Sequence, residues 1–287
     1  MLTLGDRCLV MGILNVTPDS FAEREHTIDP DAAIAAALQM ERDGADLIDV
    51  GGESTRPGSQ PVALDEELAR VLPVVRGLAS RLRVPLSIDT SKADVARAAV
   101  AAGAVMINDI SGLRFDRAVA GVAAETGAPI VLMHTRGRPT TMNEEAVYGD
   151  VVADVISELR DSIAWATAAG VSRESILVDP GVGFAKRASH SYGVLARLPQ
   201  FAAALDRPLL VGPSRKSFLR EALDDRPATE RDWGTAAAVT AAVLGGAHIV
   251  RVHAVAEMVQ EVRVAEDIRR AQIRGMRDEG CGMRDEG

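Results

Sequence analysis

The sequence predicts a (β/α)8 barrel on three observations. Eight short runs rich in Val, Ile and Leu recur along the 287-residue chain. Alanine-rich stretches with helical spacing separate them, and about eight such repeats in ~250 residues is the arithmetic of that fold. A doubly wound open sheet is the competing architecture. The even distribution of the repeats and the lack of a Gly-rich turn after the first strand favour the barrel.

In chain order, the expected strands are Cys8 to Leu14, Leu47 to Val50, Pro85 to Ile88, Val105 to Ile107, Ile130 to Met133, Ile176 to Val178, Leu209 to Val211 and Ile249 to Val252. The expected helices lie near Asp31 to Arg42, Asp65 to Leu82, Ala93 to Ala102, Arg117 to Thr126, Val151 to Ala169, Tyr192 to Leu205, Ala236 to Leu244 and Ala256 to Arg270. Gly44, Gly103, Gly127 and Gly170 stand where a helix must turn back into a strand, the position that favours a left-handed residue. No linker divides the chain, so residues 1–272 read as one domain. The segment GMRDEG at 275–280 recurs at 282–287, and this polar, glycine-punctuated duplication marks 273–287 as an expected disordered tail.

Composition narrows the function classes. A chain that is 47% hydrophobic is too apolar for disorder. Its net charge of −9, from 32 basic and 41 acidic side chains, argues against a nucleic-acid binder that relies on a broad basic face. Cys8 and Cys281 lie far apart without metal-ligand spacing, and read as free thiols in a reducing compartment. Asp6 and Arg7 interrupt the first apolar stretch, so no secretory signal is expected. The weakly polar run 234–250 is broken by Gly245 and Gly246 and ends at Arg251, and it reads as a small-residue helix, a turn and a buried strand, not a membrane span. The expected location is the cytoplasm.

The residues at the end of each apolar run carry the functional signal. The strands lead in turn into Asn15; Gly51, Glu53, Thr55 and Arg56; Asp89; Asn108 and Asp109; His134; Asp179; Ser214, Arg215 and Lys216; and Arg251 and His253. A single Asp or Asn after a strand is most often a turn former or a cap. A polar residue after nearly every strand is not explained by independent caps, because a barrel brings all those ends to one face. Asp89, Asn108 and Asp179 offer acceptors and an amide to a flat heterocycle with donor edges, while Lys216, Arg251 and His253 offer donors to an anion. His248 and His253 are five positions apart, an odd spacing, and so point to opposite faces. No His/Cys cluster supports zinc, whereas magnesium could be held by few protein oxygens together with substrate phosphates.

The motifs MGILNVTPDSF (11–21), DVGGESTRPG (49–58), SIDTSK (87–92), NDISG (108–112), DPGVGFAK (179–186), SRKS (214–217) and RVH (251–253) occur together and in order. Over about Leu9 to Ala271 the chain resembles the dihydropteroate synthases of the folate pathway. The resemblance implies a (β/α)8 barrel, a homodimer, and a reaction that joins 6-hydroxymethyl-7,8-dihydropterin pyrophosphate to p-aminobenzoate with Mg2+ present and pyrophosphate released. It implies that Asp89, Asn108, Asp179 and Lys216 form the pterin pocket. Asn15 is then the Mg2+ ligand, and Asn15, Arg56, Arg251 and His253 surround the pyrophosphate. Thr55, Arg56, Pro57, Phe184, Ser217, Phe21 and Glu23 resemble the p-aminobenzoate pocket. Asp89, Lys216, Arg251 and His253 carry the implied chemistry, an SN1-like displacement in which carboxylates such as Asp89 face a cationic methylene. Replacing Arg251 should then impair binding of the pyrophosphate ester more than binding of a pterin lacking that group.

The family usually continues its first loop as DSFSDGG, whereas this chain has Ala22, Glu23, Arg24, Glu25 and His26 after Phe21. Two glycines are lost from a loop that closes over p-aminobenzoate. An altered sulfonamide response is the expectation attached to that change. It also motivates an alternative reading, a catalytically silent pterin-binding paralogue; a pterin-dependent methyltransferase domain is a third.

Overall fold

The computed structural model describes residues 4, 5, 7–18 and 29–282. Its eight strands are β1 (Leu9–Asn15), β2 (Leu47–Gly51), β3 (Leu86–Asp89), β4 (Met106–Asp109), β5 (Ile130–Met133), β6 (Ile176–Asp179), β7 (Leu210–Val211) and β8 (Ile249–Val252). All pair in parallel in the order β6-β5-β4-β3-β2-β1-β8-β7. A single bridge between Val178 and Leu209 joins the two ends and closes the barrel. The strands are buried on both faces, which is why they read as continuous apolar runs.

The helices are α1 (Pro30–Arg42), α2 (Leu64–Ala79), α3 (Ala93–Ala102), α4 (Ala118–Thr126), α5 (Val151–Ala168), α6 (Ala188–Ala196), α7 (Leu198–Leu205), α8 (Asp232–Leu244) and α9 (Val255–Gly282). Local chemistry sets several of their ends. Asp29 caps α1 by accepting the Asp31 amide (2.9 Å), with Pro30 opening the first turn. Asp150 caps α5 through the amides of Val152 (2.8 Å) and Ala153 (3.2 Å). The four glycines expected to turn helices back into strands all have positive φ, from +70° at Gly127 to +122° at Gly103.

Two helical expectations are corrected. The stretch 192–205 is not one helix but the end of α6 and all of α7, broken at Arg197. Pro199 has no amide hydrogen to continue the ladder and sits in the first turn of a new helix instead. Helix α9 runs on through the first ten residues of the stretch expected to be a tail, while 283–287 lie outside the described residues. The 234–250 run is α8, a turn and β8, as its sequence indicates. Among the described residues no helix is long and apolar enough to cross a membrane.

Two apolar layers hold the fold. Alternate strand residues, among them Met11, Leu47, Met106, Val131, Leu177, Leu210 and Ile249, fill the lower barrel interior. The intervening residues, such as Val10, Ile48, Ile88, Ile107 and Val250, pack against the helices. The two-residue period therefore decides what the upper interior contains. Two residues beyond Leu47 stands Asp49, two beyond Met106 stands Asn108, two beyond Leu177 stands Asp179, and two beyond Ile249 stands Arg251.

Candidate active site

At the C-terminal end of the barrel these inward residues meet. Asp49, fully buried, accepts from the Asn108 amide (2.8 Å) and from Arg251 Nε (2.6 Å). The other face of the Arg251 guanidinium donates Nη2 to Asp89 Oδ2 (2.6 Å). One arginine thus bridges two carboxylates from adjacent strands. Burial opposes its charge, but Asp49 and Asp89 outweigh that and keep it protonated. Burial likewise pushes the Asp89 carboxyl upward, against the pull of Arg251, with Asp49, Glu67 and Asp109 adding like charge. Asp49 Oδ1 and the neighbouring Ser87 hydroxyl are buried without hydrogen-bond partners among the described residues.

Across the pocket, Asp179 is raised by burial despite Lys216, and its Oδ1 accepts the Gly181 amide (2.7 Å). Lys216 donates to the Val182 carbonyl (2.6 Å), and its ammonium lies 4.3 Å from the centre of the Phe184 ring. Burial lowers Lys216 to about 8, with Asp179 opposing, so it is mostly charged at neutral pH. His253 pairs through Nδ1 with the Ser214 hydroxyl (2.9 Å), whose oxygen also accepts the His253 amide (3.2 Å). Burial first, then Arg251, Arg215 and Arg56, lower His253 to about 3, which keeps the ring neutral and places three cations around it.

Asp89, Asn108, Asp179, Lys216, Arg251 and His253 therefore share one end of the barrel. Thr55 lines a small cleft together with Asp89, Glu53, Thr90, Ile110 and Phe115. Arg56 and Pro57 are exposed on the loop after β2, which is tied down by Gly58 donating to the Pro139 carbonyl (2.8 Å). Ser217 is exposed at the start of a short 3-10 turn, Ser217–Leu219. Asn15 ends β1, half-buried. Phe21, Glu23 and the altered first loop from Ala22 to His26 lie outside the described residues.

Three polar strand-end residues turn away from the pocket. Asp109 has outward parity and accepts from Ser111 and the Leu113 amide (2.7 Å), a turn brace that burial nonetheless raises to about 6. Arg215 forms a two-point pair with Asp232, at 2.7 Å for each bond. His134 is buried beneath the loop after β6, between Lys186 (2.8 Å from Nδ1) and Glu158 (3.2 Å from Nε2). Burial and then Lys186 lower it to about 3, although Glu158 pulls the other way.

A histidine whose folded pKa is depressed binds a proton more readily when unfolded, so its contribution to stability is complete above about 6.5 and is lost as pH falls through the folded value. His134→Gln should remove the contribution. Between pH 7 and 5 the variant should lose less unfolding free energy than the parent, by roughly 2 kcal/mol for a difference of about 1.5 pH units. Urea titrations at the two pH values check this; parallel losses would show that His134 does not titrate on unfolding.

Sequence reasoning missed Asp49 as a site residue. The signal was available in strand parity, since Asp49 shares the inward face of β2 with Leu47. Lys186, buried to 7% exposure, was also passed over, because nothing in FAK says which way a lysine at the end of a loop will turn.

The family model described as pterin binding enzyme matches residues 11–253. The chain is similar to the dihydropteroate synthase of Synechocystis sp. (strain ATCC 27184 / PCC 6803 / Kazusa), at 47% identity over 262 residues, covering 91% of this chain and 90% of that protein. Among solved structures it is similar to the Yersinia pestis dihydropteroate synthase in complex with a sulfonamide drug, with a TM-score of 0.87 and 44% identity, covering 94% of this chain and 96% of that one. It is also similar to the Xanthomonas albilineans dihydropteroate synthase with 4-aminobenzoic acid, with a TM-score of 0.86 and 42% identity, covering 92% and 93% of the two chains.

Proposed function

The chain belongs to the pterin binding enzyme family and, within it, to the dihydropteroate synthases, and from that membership we propose that it condenses 6-hydroxymethyl-7,8-dihydropterin pyrophosphate with p-aminobenzoate to give 7,8-dihydropteroate and pyrophosphate. The observation that carries the reading is the meeting of Asp89, Asn108, Asp179, Lys216 and Arg251 at the C-terminal end of one barrel. Asp179 and Asn108 receive the donor edge of the pterin, and Lys216 donates to its ring acceptors. Thr55, Arg56, Pro57, Phe184 and Ser217, with Phe21 and Glu23, form the p-aminobenzoate side.

The carbon–oxygen bond of the substrate breaks first, and its electron pair leaves with pyrophosphate. Arg56, Arg251 and the Nε2–H of His253 accept the growing negative charge. Asp89 faces the methylene carbon as it becomes cationic, which lowers the barrier to that step. The amine nitrogen of p-aminobenzoate then bonds to the methylene carbon and releases its proton. Arg251 has to loosen its hold on Asp89 for both groups to act, and an arriving pyrophosphate supplies the competing anion.

Asn15 suits the Mg2+ expected in this family. Its side chain makes no hydrogen bond with another described residue, and a single neutral oxygen fits an ion whose other ligands are substrate phosphates and water. Bound there, Mg2+ would neutralise pyrophosphate charge. In the same reading residues 1–272 are the catalytic unit, acting as a cytoplasmic homodimer; the buried free thiol of Cys8 suits a reducing compartment.

The test is to incubate purified protein with the pterin pyrophosphate, p-aminobenzoate and Mg2+, and to measure dihydropteroate. Product formation is the expected result. Pterin binding without product would replace this reading with a silent paralogue.

A further inference from the structure

The loop after β6 carries two features of the proposed site. Its Phe184 ring covers the Lys216 ammonium, and its Val182 carbonyl accepts from that ammonium. Gly181, Gly183 and Ala185 are all left-handed, with φ of +68°, +80° and +47°. A Cβ on Gly181 would lie 1.9 Å from the His134 carbonyl oxygen, so the loop passes directly over β5's end. A backbone in this conformation makes few bonds of its own. The Phe184 amide reaches the Gly181 carbonyl (3.0 Å), the Gly181 amide donates to Asp179 (2.7 Å) and the Gly183 amide to the Ser191 hydroxyl (3.2 Å), while the Phe184 carbonyl takes its support from beneath.

That support is a chain of buried polar groups. Lys186 folds back under its own loop and donates to the Phe184 carbonyl (3.1 Å) and to His134 Nδ1 (2.8 Å). His134 Nε2 meets Glu158 (3.2 Å), which Arg136 (2.9 Å) and Arg114 (3.1 Å) anchor on α5. Burial opposes ionisation of Glu158, but His134 and Arg136 outweigh it and hold its carboxyl at about 2. A carboxylate has no proton to give, so His134 carries its proton on Nε2 and accepts at Nδ1. The relay therefore runs one way, from Lys186 through His134 to Glu158. Tyr148 adds a parallel strut by donating to the Ala185 carbonyl (2.9 Å).

We propose that Lys186 is a positioning residue of the p-aminobenzoate pocket, fixing the Phe184 carbonyl, and with it the ring over Lys216, through the relay to His134 and Glu158. The inference rests on the function proposed above. Lys186 and His134 are only 7% and 1% exposed, so they act through the loop and not on substrate.

Lys186→Met keeps the aliphatic stem and removes both donors. It should raise KM for p-aminobenzoate about tenfold, the usual consequence of losing a pair of buried hydrogen bonds. The kcat at saturation and the affinity for pterin pyrophosphate should stay within about twofold. His134→Leu should act in the same way. In His134→Gln one amide can accept from Lys186 and donate to Glu158, and the parent KM should return. Amide exchange across 181–186 should speed up about tenfold in the first two variants and not in the third. A folded Lys186→Met protein with the parent KM and parent loop exchange overturns the proposal, as does an equal loss of affinity for both substrates. If the unmodified protein makes no dihydropteroate, the functional reading fails, while loop exchange still decides whether the clamp exists.

Discussion

Replacing Arg251 by methionine is expected to lower the unfolding free energy by about 3–5 kcal/mol, the cost of removing one partner from a buried ion pair. The reason is the double bridge: Arg251 is the cation bonded to both Asp49 and Asp89, and Asp49 has no exposure to water. Both carboxylates would face each other in a low-dielectric barrel. For a chain of this size the thermal midpoint should drop by roughly 10 °C. The deficit should shrink on acidification, because an unpaired buried carboxyl can take up a proton. Adding Asp49→Asn should recover part of the lost stability, and thermal melts of the single and double variants check both statements. Loss of Arg251 should weaken pterin binding itself, with a further loss when pyrophosphate is attached. If the single variant melts like the parent, the bridge contributes nothing.

Asp89→Asn is expected to behave in the opposite way. Arg251 keeps Asp49 as its counter-ion and loses a carboxylate that burial already penalises, so stability should stay within about 1 kcal/mol. Turnover should fall by about 10²–10³, because a neutral amide cannot stabilise a cationic methylene as a carboxylate does. Steady-state kinetics beside a thermal melt separate the two effects. A variant with near-parent kcat would remove Asp89 from the proposed chemistry and leave it a binding residue. The two substitutions thus separate the bridge's contribution to the fold, which is lost with Arg251, from the contribution of Asp89 to the reaction.

Much of this arrangement could be read from the sequence, because a barrel converts period-two spacing into position. The eight strands fall within a residue or two of where the apolar runs place them. Asp89, Asn108, Asp179 and Arg251 face inward for the same reason that Met106, Leu177 and Ile249 do. Asp109 and Arg215 show the limit of the rule: they are polar strand-end residues too, but one has the wrong parity and the other has Asp232 within reach. What spacing could not supply was pairing. Nothing in RVH says that the arginine rests between two aspartates, and nothing in FAK says that the lysine turns down toward His134. Those choices are made by burial, which obliges each polar group to find a partner from a distant strand.

The barrel's closure has a mechanical consequence. Seven of its junctions are ladders, but β6 and β7 meet through one bridge, helped by Val178 donating to the Pro208 carbonyl (3.0 Å). Asp179 stands on one lip of that seam and Lys216 follows the strand on the other. A pterin held by both would act as a rivet across the weakest point of a hoop. Substrate would then complete the scaffold's circumference as well as occupy its mouth, and the groups that bind it would be drawn into their working spacing by the ligand they hold.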